Sequence, residues 1–129
     1  MTKVEILYEK SPGSTRRNIV GIRCKGHSNH KGDGSCDIVC TSVSLCMEIL
    51  ETGLRCFAPF EEAPEVSIVE SRIPGEKCIR WNCGSKWSIG VSMLSITIAE
   101  TMRSLASTYP ENISVEYVME NEEEKGDKK

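Results

Sequence analysis

Residues 37–54 read DIVCTSVSLCMEILETGL, and the spacing of their apolar side chains predicts one long helix. Asp37 is the predicted N-cap, because its carboxylate can accept hydrogen bonds from N–H groups of the first turn, and Gly53 is the predicted end. One face of this helix is apolar, with residues at steps of three and four: Val39, Val43, Cys46, Leu50 and Leu54. We therefore expect an amphipathic helix that packs on a sheet.

Alternating apolar and polar residues predict strands on both sides of this helix. In chain order we predict strands at 4–9 and 18–24, the helix, strands at 65–69 and 77–81, a second helix at 89–108 and a last strand at 113–118. The order ββαββαβ predicts a single α+β domain, with one sheet and two helices packed on it.

Composition and charge restrict the function classes. A chain of 129 residues fits one domain. The net charge is −3, and residues 120–129 hold five acidic and three basic residues, so the tail supplies −2 and the body −1. A body this neutral lacks a basic field, so we expect no direct nucleic-acid binding. We predict a domain at 1–119, followed by a charged disordered tail at 120–129.

Hydropathy and cysteine spacing argue against membrane-spanning, secreted and disulfide-bonded proteins and against a metal site. No apolar run approaches the roughly 18 residues that span a membrane, and no secretion leader opens the chain, so we expect a soluble, cytoplasmic protein. The seven cysteines are odd in number and contain no CxxC pair, which predicts neither a disulfide framework nor a metal site. We interpret five of them as small buried side chains: Cys24, Cys46, Cys56, Cys78 and Cys83.

Residues capable of chemistry concentrate between Gly26 and Ser44. Cys40 lies three residues after the predicted N-cap, where a helix N-terminus favours the reactive thiolate. His27 follows Gly26 at the end of a strand, whereas His30 lies inside the loop 28–35, which is polar and predicted to be mobile. The residues alone leave two interpretations open for Cys40: a core cysteine or a nucleophile paired with a histidine.

The exact string resembles the ribosomal-processing cysteine protease family of bacteria. Gly26-His27, a glycine-containing loop and the block DIVCTSVS at 37–44 match that family's pattern of GH, a flexible loop and D-[IV]-V-C-x-x-x-S. The paired strands before the motif, the helix that it opens and the segment 109–113 extend the resemblance over about residues 3–118.

The resemblance implies a cysteine endopeptidase in which Cys40 is the nucleophile and His27 its partner in a dyad. Asp37 and Ser44 are then supporting residues, and the loop with Gly32 and Gly34 moves as substrate enters. The implied substrate is a large-subunit ribosomal protein with an N-terminal extension. The family further implies a cytoplasmic homodimer that needs no metal or cofactor.

The chain departs from the family pattern in the loop and after the cysteine. The loop is about one residue longer than in the family. Ser35 stands two positions before the Asp, where the family pattern has a glycine, and Thr41-Ser42 replaces a small Ala-rich pair. None of these changes removes a chemical group that the mechanism needs. Cys36 is either idle or forms a reversible disulfide with Cys40.

Two other functions remain as alternatives. A catalytically silent module of the same fold would bind a ribosomal protein while the dyad never assembles. A metal or redox module built from the cysteines is less consistent with their spacing.

Overall fold

Five strands and two helices follow one another in the predicted order. The computed structural model describes residues 1–10, 13, 17–26, 35–57, 64–70, 76–82 and 89–120, with the backbone alone at 35–37 and 70. The elements are β1 (Thr2–Lys10), β2 (Arg17–Lys25), α1 (Ser35–Arg55), β3 (Glu65–Glu70), β4 (Lys77–Asn82), α2 (Ile89–Thr108) and β5 (Ile113–Met119). The predicted α+β class, with one sheet and two helices, is confirmed.

The sheet has the strand order β3-β4-β2-β1-β5. Both hairpins are antiparallel and meet where β2 pairs with β4, whereas β5 runs parallel to β1. The parallel pair follows from α2, which returns the chain from the end of β4 to the start of β5. This topology makes β2 the central strand of the sheet, and Gly26 follows directly after its last residue.

The core lies between the helices and one face of the sheet. Its fully buried side chains come from the strands and from both helices, and each contributes roughly 1.5–3 kcal/mol by burial alone. They include Val4, Ile6, Ile22, Ile79, Val39, Leu50, Leu54, Val91 and Met102. Among the described residues, no helix is long and apolar enough to cross a membrane.

α1 is longer at both ends than predicted. It begins at Ser35, so Asp37 is its third residue and the prediction of an N-cap there was wrong. It continues to Arg55, so the predicted end at Gly53 was also wrong. A Cβ atom on Gly53 would lie 2.6 Å from Cδ2 of Leu94, and this glycine therefore lets α1 and α2 approach each other closely.

Ion pairs connect the strands on the sheet face opposite the helices. Glu5 is only 7% exposed, and its Oε1 accepts a hydrogen bond from Nε of Arg23 at 2.7 Å. This hydrogen bond lowers the pKa of Glu5 below its usual value, although burial opposes the shift. Lys25 lies 3.7 Å from the same carboxylate oxygen. The carboxylate thus ties β1 to the last residues of β2.

A second ion pair on that face crosses the sheet. A Cβ atom on Gly21 would lie 3.1 Å from Cγ of Arg80, so the arginine side chain runs directly over the glycine. Beyond it, Nη1 of Arg80 pairs with the carboxylate of Glu120, which the sequence assigns to the charged tail. Residues 121–129 lie outside the described residues.

Candidate active site

Cys40 is the sixth residue of α1, and its side chain is half-buried. It therefore begins the second turn, and the expectation that it lies in the first turn was wrong. Only the N–H groups of the first turn of a helix lack an intrahelical acceptor, which in the described part of α1 are those of residues 35–37. The N–H of Cys40 is consequently not a free donor, and any oxyanion would have to be held by the turn before it.

Ser44 lies one turn beyond Cys40 on the same side of α1, as predicted, and is exposed. Thr41 is also exposed, and Ser42 is half-buried. The described residues beside and after Cys40 on α1 thus carry three hydroxyl groups, which can hydrogen-bond to a peptide backbone.

Cys24 and Cys46 show how α1 lies against β2. The pKa of the Cys24 thiol is raised to about 12, mainly by burial and in smaller part by the nearby Cys46. Cys24 comes three residues before His27, and Cys46 lies six residues, or about 9 Å of helix, after Cys40. The end of β2 therefore lies near the middle of α1, less than two turns from Cys40.

Several predicted site residues lie outside the described part of the chain. These are His27, His30, Gly32 and Gly34, together with the side chains of Cys36 and Asp37. The pairing of Cys40 with His27 and the supporting roles of Asp37 and Ser44 stay predictions.

The backbone restricts the suggested Cys36–Cys40 disulfide. Both residues lie in α1, four positions apart. Cβ atoms at this spacing are roughly 5–6 Å apart, whereas a disulfide requires about 3.5–4.5 Å. The bond could form only if the start of α1 unwound, which disfavours it as an easily reversed switch.

The other cysteines divide by burial. Cys24 and Cys46 are buried as predicted, Cys78 is half-buried, and Cys56 is exposed, so the prediction for Cys56 was wrong. Cys56 follows the end of α1 and no longer shares its apolar face. Cys83 lies outside the described residues. Within the described ranges, no three His, Cys, Asp or Glu side chains are grouped as metal ligands.

A comparison with protein families identifies the chain. The family model described as cysteine protease Prp matches residues 1–114. The chain belongs to the cysteine protease Prp family. This Prp-family chain is accordingly a cysteine protease. No curated protein matches its sequence.

Solved structures share the Prp fold with this chain at low sequence identity. The protein SMU.848 of Streptococcus mutans has a TM-score of 0.69 at 19% identity, covering 93% of this chain and 96% of that one. The essential ribosomal processing protease Prp of S. aureus, in complex with a covalently linked product peptide, has a TM-score of 0.67 at 19% identity. With a substrate peptide, its TM-score is 0.63 at 17% identity. Both S. aureus matches cover 92% of this chain and 100% of the other.

The thiols should differ in reactivity if Cys40 is the nucleophile. We expect Cys40 to alkylate faster than Cys56 near neutral pH, although Cys56 is the more exposed, because an imidazole partner generates the thiolate. Cys24 and Cys46 should react slowest, since burial raises the pKa of both. Mass spectrometry after brief iodoacetamide treatment measures the order, and labelling that follows exposure alone would contradict the prediction.

Proposed function

We propose that this protease removes the N-terminal extension of a large-subunit ribosomal protein, with Cys40 as nucleophile and His27 as its base. The observation that carries the proposal is the family match over residues 1–114, within which the GH and DIVCxxxS elements are intact. The S. aureus ribosomal processing protease, which has the same fold, binds a substrate peptide and a covalently linked product peptide. We further propose that the enzyme acts in the cytoplasm without a cofactor.

The proposed reaction is acyl transfer to sulfur. His27 accepts the proton of the Cys40 thiol, and the thiolate attacks the scissile carbonyl carbon. Free N–H groups at the start of α1, from residues 35–37, are the available donors for the oxyanion. The intermediate collapses to a thioester as His27 returns the proton to the departing amine. Water, deprotonated by the same imidazole, then hydrolyses the thioester and restores the thiol.

Supporting roles are proposed for two further residues of α1. Ser44 is exposed on the Cys40 side of the helix and can hydrogen-bond to the substrate backbone. Asp37 is the third residue of α1, one turn before Cys40, and its carboxylate would orient the His27 imidazolium.

To test the proposal, the purified enzyme is incubated with the ribosomal protein of the same organism and, separately, with a peptide that spans the extension junction. Mass spectrometry should show one new N-terminus at that junction, equally in buffer and in excess chelator. Cleavage of an unrelated extended peptide at a similar rate would contradict the substrate. Loss of cleavage in chelator would contradict the metal-free mechanism.

A prediction for the loop 28–35 follows from its polar, glycine-containing sequence. If Gly32 and Gly34 let the loop close over an extended substrate, its amides should exchange more slowly when a peptide is bound. Hydrogen exchange on the Cys40→Ala variant, with and without the junction peptide, measures this. Equal exchange in both states would show that the loop does not gate the substrate.

The proposed homodimer has a candidate surface on the helices, here called the apolar helix face. It consists of six exposed side chains: Ile38, Leu45, Ile49, Ile89, Met93 and Ile96. Helices on a protein surface normally carry polar residues on their solvent side, and large exposed apolar patches mark interfaces. α1 carries three of these side chains and α2 the other three, and the two helices contact each other at Gly53 and Leu94.

Charge placed on this face should prevent dimerisation. Leu45 is 58% exposed, so Leu45→Glu removes no core contact but would bury a carboxylate in the interface. We expect a dimer for the wild type and a monomer for this variant in sedimentation equilibrium. Ser114→Glu, which adds the same charge to an exposed position on β5, is the control and should stay dimeric. A dimer in both variants would place the interface elsewhere.

A further inference from the structure

Gly26 has a backbone conformation that other residues rarely adopt. It is the residue between the end of β2 and His27, and its φ is +85°. An added Cβ atom would lie 2.8 Å from the carbonyl oxygen of Met1, closer than Cβ atoms approach other atoms in proteins. Two independent features therefore require glycine here: the left-handed φ and the close approach of the first residue's backbone.

The atoms against which Gly26 packs are themselves held in place. Thr2 is buried, and its N–H donates a hydrogen bond to the carbonyl oxygen of Asn112 at 2.8 Å. Lys3 pairs with Lys25 in the β1–β2 ladder, and Glu5 binds Arg23 and Lys25. The start of β1 and the end of β2 thus form one rigid support. Because this support is held by hydrogen bonds and ion pairs, we expect a side chain at residue 26 to displace mainly the chain that follows it, towards residue 27.

We propose that Gly26 is a positioning residue for catalysis. Gly26 has a left-handed conformation and packs against the Met1 carbonyl. In this proposal it sets the direction in which the chain leaves β2, and thereby the position of the His27 imidazole relative to Sγ of Cys40. This inference rests on the proposed role of His27. A side chain at residue 26 leaves both reacting groups present but moves one of them, and a displacement of about 1 Å can cost about 10²-fold in rate.

Gly13 provides a matched control for the test. It lies between β1 and β2 with φ +76°, and a Cβ atom added there meets nothing within 4 Å. Gly13→Ala and Gly26→Ala therefore impose similar backbone strain, but only the second pushes on Met1 and precedes His27. Gly26→Asn separates the two effects, because asparagine tolerates a left-handed φ yet carries the Cβ atom.

We expect Gly26→Ala to lower kcat for the junction peptide at least about 30-fold with little change in KM, and Gly13→Ala to lower it less than twofold. Gly26→Asn should resemble Gly26→Ala, because both carry the Cβ atom that meets Met1. Circular dichroism and thermal melts establish the folded fraction to which each rate is normalised. Equal kcat values for the Gly26 and Gly13 variants, per folded molecule, would overturn the proposal.

The rate of Cys40 alkylation near neutral pH supplies a readout that a purely structural role would not move. Gly26→Ala should slow it towards the rate of His27→Ala, and adding Gly26→Ala to His27→Ala should slow it no further. Additive effects in the double variant would show that Gly26 does not act through His27. The proposed function is tested separately, because cleavage by the wild type and its loss in Cys40→Ala do not depend on Gly26.

Discussion

Replacing Cys40 with alanine is expected to abolish cleavage of the junction peptide, by at least about 10³-fold in kcat, while the fold survives. The variant lacks the sulfur that would form the proposed thioester. It loses little core packing, because the side chain is only half-buried and Ala is the best helix former. Mass spectrometry of the peptide and a circular dichroism melt measure the two quantities on the same sample.

Cys56→Ala is the matched control for this prediction. It removes an exposed thiol just beyond the end of the same helix, so it changes the number of thiols without touching the proposed site. Its kcat should equal that of the wild type. A Cys40→Ala variant with near wild-type activity would end the assignment of the nucleophile. An inactive wild type in which Cys40 alkylates no faster than Cys56 would favour the silent binding module, because the dyad of that module never assembles.

His27→Ala is expected to lower kcat almost as much as Cys40→Ala, because His27 is the residue predicted to act as the general base. Without imidazole the thiol must ionise unaided, and general base catalysis of this kind contributes about 10²–10⁴-fold. Steady-state cleavage near neutral pH measures the loss.

His30→Ala provides the comparison, since the chain has only two histidines and both precede α1. Its effect should be mild, within a few-fold of the wild type. Raising the pH should partly restore alkylation of Cys40 in His27→Ala, because hydroxide then supplies the thiolate that the imidazole no longer generates. The reverse order of severity between the two variants would mean that His30 is the partner.

Local patterns predicted most of the fold, and the exceptions have a physical cause. α2 runs from Ile89 to Thr108 as predicted, because its apolar spacing is regular and Pro110 prevents further helix. α1 was misjudged at both ends. Ser35 and Cys36 carry no apolar periodicity that would mark the helix start, and Gly53 reads as a stop signal although it serves a contact with α2.

The part of the site that belongs to the sequence motif could be predicted from the sequence. Cys40 and Ser44 lie on one side of α1, as their spacing indicates. The contacts around the proposed site join segments far apart in the chain, and no local sequence pattern predicts them. Gly26 packs against the Met1 carbonyl, 25 positions earlier in the chain. Cys24 in β2 lies near Cys46 in α1.

The contact between Gly53 and Leu94 has a mechanical consequence for catalysis. It lies 13 residues after Cys40, which corresponds to about 20 Å along the axis of α1. If Cys40 is the nucleophile, a tilt of α1 by only about 3° about that contact moves its sulfur by about 1 Å, a displacement that can cost about 10²-fold in rate. A bulkier residue at position 53, near the C-terminal end of α1, is therefore expected to misalign the Cys40 sulfur while the domain remains folded.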